Sequence, residues 1–406
     1  MQAPRRHYLS AVLRARLGPG IALRLLYSLF YGSMACWVPF FAVYLQQVGL
    51  SGGQIGLIAG LRQAAVLVSQ PFWGAVADVR GRRELLLSTM LLAVLILPGY
   101  IWPGGFSFLV IWTLVFGLLT NPVGALIDSL VLDHLQERPG VTFGQLRVFG
   151  AVGWAAASLL TGRILSGRDL RLGFALGASF MLVGWLVARR HTLPARRPAA
   201  LGGTWHGAGK VLADRRLLTL LALIVVAQLG MVSIITFYPV YLTGLGAPSE
   251  LLGLAFTLQG LSEMPLYLGA AGIIRRLNAA RAIAFSFCVG AVRVLLYSVI
   301  RVPGLAVAVE AVHGLCYALF LVAAVDYVNS VVPAEWRATG QTLLGAAYFG
   351  AGGILGNAFA GYLCDRLGVQ GMFRVNAAVI LGAAILALLL LRPPERMPSG
   401  EADSEP

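Results

Sequence analysis

The chain predicts an all-α integral membrane protein with twelve transmembrane helices in two six-helix bundles related by a parallel pseudo-twofold repeat. Three observations carry that prediction. Its 406 residues are 58% hydrophobic and only 12% charged, about half the charged share of a soluble domain, which is ~25%. Apolar runs of bilayer length follow one another, a crossing helix needing roughly 20 residues. They lie at 22–45, 54–77, 85–103, 107–132, 145–165, 172–189, 217–242, 251–274, 282–300, 304–330, 338–363 and 372–391. Finally, Val43-Tyr44-Leu45, Gly49 and Gly56-Leu57 recur as Val240-Tyr241-Leu242, Gly246 and Gly253-Leu254, each 197 positions on. A period that long marks a duplicated bundle.

The first run follows Arg5, Arg6, Arg14 and Arg16. It is too long for a secretory leader and has no small-residue cleavage site, so it reads as a retained helix. Residues 1–189 then form one bundle and 217–391 the second. The stretch 190–216 holds Pro194, Pro198, Gly202 and Gly203 with six Lys and Arg, and reads as a polar linker. Residues 392–406 form a tail. If both termini are cytoplasmic, segments on that side carry 21 Lys and Arg against five in outward segments (Arg163, Arg168, Arg171, Arg301 and Arg366). Such asymmetry orients a helical membrane protein, here in a bacterial cytoplasmic membrane. The net charge of +14 is therefore topological, and nucleic acid is not expected as a partner. Cys36, Cys288, Cys316 and Cys364 are scattered through apolar runs without metal-ligand spacing and read as packing residues. Small-residue pairs at Gly56/Gly60, Gly173/Gly177 and Gly352/Gly356 mark close helix approaches.

Between the second and third runs stands Gly74-Ala-Val-Ala-Asp78-Val-Arg80-Gly81-Arg82-Arg83. It resembles the signature loop of the major facilitator superfamily, with the basic and apolar positions exchanged at Val79 and Arg80. That resemblance extends over the whole chain. It implies a secondary transporter working by alternating access, with Gly74, Asp78, Gly81, Arg82 and Arg83 as the gating loop. Asp78 sits where it can pair near a helix end, and the arginines where they can meet lipid phosphates.

Charges at membrane depth are costly, and so they are paired or functional. Arg24, Asp326 and Arg374 lie near run ends and can snorkel. What remains is Arg62 in the second run and two groups. The first group comes from the fourth and fifth runs, which a short loop joins, so that Asp128 and Arg147 reach similar depth. Trp154 follows Arg147 by two helical turns. Acceptor, planar donor fork and indole suit a polar ring; the plain alternative is a salt bridge tying two helices. The segments Ala125–Asp128 and Phe143–Trp154 resemble the corresponding helices of the lactose permease. This implies Asp128, Arg147 and Trp154 as substrate ligands, with Asp in place of a longer Glu.

The second group is Glu310 and His313, three apart on one helix face, joined by Glu263 and Arg293 from the eighth and ninth runs. Carboxylates, an imidazole and a guanidinium in an apolar interior suit a proton-coupling site; the plain alternative is a structural charge network. His313 matches a histidine of the lactose permease, whereas Glu263 and Arg293 are more similar to the phenylpropionate and nucleoside permeases. These resemblances imply proton-coupled uptake of a sugar, nucleoside or aromatic acid. A drug or metabolite efflux antiporter is the alternative, set back by the lack of a Gly-Pro-x-x-Gly-Gly stretch within Gly150–Gly162. A nutrient sensor built on the same fold is a further one, set back by the short tail. No nucleophile–base pair, metal-ligand set or phosphate-binding loop is present, so enzyme chemistry, cofactors and metals are not expected. A functional monomer in contact with lipid, solute and protons is.

Overall fold

The computed structural model describes residues 18–102, 104–137, 143–191, 214–333 and 336–391. Most of the linker, the tail, the N-terminal arginines and the Asp78 side chain lie outside them. Helices account for nearly every described residue. The first helix, α1, runs Pro19–Ala35 and continues as Val38–Gln47. Helix α2 spans Gly52–Arg80, and α3 spans Arg82–Ile96 with a 3-10 turn at Leu97–Ile101. Helix α4 runs Phe106–Thr120 and Pro122–Glu137, α5 Phe143–Leu165 and α6 Leu172–Arg190.

The second half repeats the order. Helix α7 comprises Arg215–Met231, Ser233–Thr236 and Tyr238–Gly244, α8 is Ser249–Leu277 and α9 is Ala279–Val299. Helix α10 is built from Pro303–Ala308, Val309–Val312, His313–Cys316 and Ala318–Val331. Helix α11 starts at Arg337–Gly345, passes through a π-turn at Ala346–Gly352 and enters Gly353–Leu390. Gly368, at φ 70°, breaks that last stretch into α11 and α12. Among the described residues ten segments are long and apolar enough to cross a membrane, one of them the 52-residue α11–α12 stretch. Splitting it at Gly368 and adding the 29-residue α8 yields the twelve helices expected.

Proline sets several breaks. Pro39 and Pro239 lie just beyond the interruptions in α1 and α7, and Pro122 just beyond that in α4. In each case the ring removes an N–H and clashes with the carbonyl four residues back. The repeat also appears in the turns. All six positive-φ residues described fall into three pairs, one member per half: Gly49 with Gly246, Gly81 with Asn278, and Gly167 with Gly368. The first two pairs keep the 197-residue offset. A backbone duplicated down to its left-handed turns is a duplicated fold.

The two halves meet on glycine. A Cβ on Gly56 of α2 would lie 2.3 Å from the Asn357 carbonyl oxygen of α11. One on Gly253 of α8 would lie 2.4 Å from the Ser158 carbonyl oxygen of α5. Only glycine permits backbones this close. These approaches gather at the end of the molecule that carries the 47–52, 165–172 and 244–249 turns. Asp365 of α11 seals that end by accepting from Ser51 Oγ at 3.1 Å and from the Gly52 and Gly53 amides at 2.6 and 2.8 Å. A carboxylate thus caps the positive end of α2 from the opposite half. Arg163 and Glu250 pair across α5 and α8 at 3.2 Å on the same rim. At the other end of the helices, Phe72 and Val79 of α2 and Leu268 of α8 stand exposed.

Candidate functional site

Each half holds one polar cluster. In the first, Arg147 Nη1 of α5 donates to Asp128 of α4 at 3.2 Å to Oδ1 and 3.4 Å to Oδ2. The expected approach of two adjacent antiparallel helices is met. Tyr27 of α1 donates its hydroxyl to Asp128 Oδ1 at 2.6 Å. The Arg147 guanidinium lies over the Tyr31 ring, 5.7 Å from its centroid. Gly153 explains why α1 and α5 come so near: a Cβ there would fall 2.2 Å from the Ser28 carbonyl oxygen. The side chains of Arg147 and Asp128 remain 42% and 36% exposed, so the pair lines an accessible cavity instead of being sealed in a core.

Trp154 stands two turns along α5 and faces the second half. Its ring packs against Phe256 of α8 at 6.3 Å, and a Cβ on Gly260 would meet its Cδ1 at 3.3 Å. The indole therefore marks the α5–α8 seam.

The second cluster is sealed at its Arg293–Glu310 end. Arg293 of α9 and Glu310 of α10 are 1% and 0% exposed and form an ion pair. Arg293 Nε donates to the Tyr297 hydroxyl at 2.7 Å, and that hydroxyl donates to Glu310. Gln259 Nε2 of α8 donates to the same carboxylate at 2.5 Å. The helix carrying Glu310 tightens into a 3-10 turn at Val309–Val312 and restarts at His313, irregularity that accompanies functional positions. Arg293 Nη1 lies 2.7 Å from His313 Nδ1. Because a guanidinium only donates, Nδ1 must be the acceptor and the ring proton sits on Nε2. That nitrogen faces Glu263 Oε1 of α8 at 3.2 Å. All four residues expected from the sequence are thus in one chain of contacts: Glu310, Arg293, His313, Glu263.

The formal charge of this chain is informative. Arg293 and Glu310 cancel, and His313 with a bare Nδ1 is neutral. Glu263, whose ion-pair contact is with that neutral ring, leaves the set one negative charge in excess. Glu263 is 19% exposed on its side chain and lies at the cavity edge, in electrostatic reach of Tyr31 from the first half, as Arg147 is of Tyr317. The two clusters therefore face each other across one space.

The loop residues split. Gly81 turns the chain at φ 92°. Arg82 Nη1 bridges both oxygens of Asp133 at 2.8 Å. Arg83 Nη2 donates to the carbonyls of Ala188 and Arg189 at 3.3 and 3.1 Å. Both arginines fasten helix ends within the first half; Gly74 meets open space, and the Asp78 side chain is outside the described residues. Sequence reasoning missed Tyr27, Tyr31, Tyr297, Gln259, Asp133 and Asp365. Tyrosines in apolar runs read as core, and the two acids lie near helix ends where charge is unremarked.

The MFS_1 like family model matches residues 21–375. The maltose permease of Geobacillus stearothermophilus is 27% identical over 372 residues, covering 91% of this chain and 94% of its own. A probable 3-phenylpropionic acid transporter of Escherichia coli (strain K12) is 26% identical over 374 residues, covering 90% and 96%. Among solved structures, the nucleoside transporter NupG superposes with a TM-score of 0.83 at 16% identity, covering 93% of this chain and 100% of its own.

Proposed function

Since the chain belongs to the MFS_1 like family of the major facilitator superfamily, and is on that ground a membrane-embedded secondary active transporter and not an enzyme, we propose that it takes up a small polar organic solute together with a proton. The observation that carries this reading is the contact of the half-buried Glu263 carboxylate with His313 at the edge of the cavity, while Arg293 and Glu310 pair with each other. Burying an uncompensated charge is expensive. A proton on Glu263 removes that cost, so the protonated and unprotonated carriers favour different arrangements of the two halves.

The solute binds between Asp128 and Arg147, with Tyr27 and Tyr31 behind them and Trp154 on the far wall. The carboxylate accepts from hydroxyls, the guanidinium donates in a plane, and the rings cover apolar faces. The kinds of solute named for the relatives, a sugar and an aromatic acid, together with the nucleoside of the structural neighbour, are the candidates. With both termini in the cytoplasm, the glycine-sealed end is external and the cavity opens inward. Residues 1–189 and 217–391 move as two bodies about this seam, with 190–216 as their tether and Asp78, Arg82 and Arg83 controlling the inner ends. The protein acts as a monomer in the bacterial cytoplasmic membrane, surrounded by lipid.

Uptake into proteoliposomes with an alkaline lumen, screened with labelled sugars, nucleosides and aromatic acids, tests the reading. Accumulation should collapse with a protonophore. Accumulation indifferent to the proton gradient removes it.

A further inference from the structure

Arg62 is the deep charge that neither cluster uses. It lies on α2, half-buried, with its guanidinium carbon 5.8 Å from the Trp37 ring centroid. Trp37 in turn stacks on Tyr100 at 6.4 Å. Among the described residues no carboxylate forms an ion pair with Arg62. On the adjoining α4, Asn121 Nδ2 is buried and has no hydrogen-bond acceptor. Gly117 brings the two helices together at backbone level: a Cβ there would meet Ala65 Cβ at 2.7 Å, Asn121 Nδ2 at 3.5 Å and the Arg62 carbonyl oxygen at 4.0 Å. A cation and an orphaned donor, both lacking an acceptor among the described residues, therefore occupy neighbouring helices of the first half.

The internal repeat shows what is missing. The 197-residue offset carries Arg62 onto Gln259, Ala65 onto Ser262, Tyr100 onto Tyr297, Thr113 onto Glu310 and Gly117 onto Gly314. The contacts repeat as well. Tyr100 donates to Thr113 Oγ1 at 3.0 Å where Tyr297 donates to Glu310. Gly117 approaches residue 65 where Gly314 approaches residue 262. In the second half the α8 donor, Gln259, has its carboxylate in Glu310. In the first half the donor is a full cation, and a threonine stands in the place of the acid.

From this we propose that Arg62 receives the carboxylate of an organic acid solute, so that the solute supplies the acceptor the first half lacks. The assignment rests on the transporter reading above and narrows its solute to a monoanion. A guanidinium and a carboxylate form charge-assisted hydrogen bonds, which a neutral amide of the same shape cannot replace. In the empty carrier the unpaired cation is a stability cost accepted for binding.

Calorimetric titration of the purified full-length protein in detergent tests the assignment. The probes are three acid/amide pairs: benzoate with benzamide, 3-phenylpropionate with 3-phenylpropionamide, and gluconate with gluconamide. In at least one pair the acid should bind tenfold or more tightly than the amide. R62Q should lose tenfold or more of that acid affinity, leave the amide unchanged and melt at a higher temperature without ligand. R62K should keep a reduced preference for the acid. No acid preference in any pair overturns the assignment, as does R62Q binding the acid like the wild type. So does an R62Q protein that melts lower or does not fold, since the arginine is then structural. Proton-driven accumulation of a neutral solute by R62Q, alongside a wild type without acid preference, defeats this assignment and leaves the transport reading standing. A wild type that moves neither acid nor neutral solute defeats the transport reading itself.

Discussion

Arg293 and Glu310 are 1% and 0% exposed, and at that depth removing one partner leaves the other charge without water. Arg293→Met is therefore expected to lower stability by about 3–5 kcal/mol, seen as a fall in melting temperature in detergent. The double variant R293M/E310Q should recover most of the loss, because no unpaired charge remains. If the double variant melts no higher than R293M, the pair is not the main term. The Asp128–Arg147 pair behaves differently. It is more than a third exposed on both side chains, and water screens it. D128N should change melting little while abolishing solute binding in the same titration; unchanged binding would make the pair a helix tie. At this scale the sequence was legible wherever a charge stood in an apolar run, since few other reasons place one there. Tyr27 and Tyr31 were not legible. They reach Asp128 and Arg147 from α1, more than a hundred residues away, and nothing local separates a tyrosine that caps a carboxylate from one that fills a core.

Among the elements, α2 with α11 and α5 with α8 decide which end of the cavity is closed. Both seams lie on glycine, and Cys364 of α11 sits within 3 Å of where a Gly52 Cβ would be. Gly56→Leu should force this seam apart, and Asp365→Ala should remove the carboxylate that holds Gly52 and Gly53. Each substitution is expected to raise maleimide labelling of Cys364 several-fold in a Cys288→Ser background, Cys36 and Cys316 being buried. Unaltered labelling in both would mean that the seam does not gate access. The breaks at Pro39, Pro122 and Pro239 could be read from the sequence because proline acts through its own ring. The 3-10 turn at Val309–Val312 and the π-turn at Ala346–Gly352 could not. No residue in either forbids an α-helix, and their irregularity comes from packing across the half.

Over the whole molecule, two halves that repeat down to their left-handed turns have diverged in charge. The second half carries a closed polar network with one negative charge in excess, the first an accessible ion pair and an unpaired arginine. A duplicated scaffold with unlike interiors is what a carrier needs if one half is to bind a proton and the other a solute. The duplication was visible in the sequence through Val-Tyr-Leu, glycine and Gly-Leu at one fixed offset. The proposed division of labour was only half visible: Glu263 and His313 stood out, but the partner of each depended on which nitrogen Arg293 occupies.

The measurement that tests this account most directly is solute uptake by Glu263→Gln in proteoliposomes, in two formats. In exchange between equal solute pools, which needs no net proton movement, E263Q should work at a rate near the wild type. Under an imposed pH gradient, alkaline inside, it should fail to accumulate solute at all. Accumulation by E263Q at the wild-type level under that gradient would contradict the account, because the excess charge at the cavity edge would then play no part in coupling.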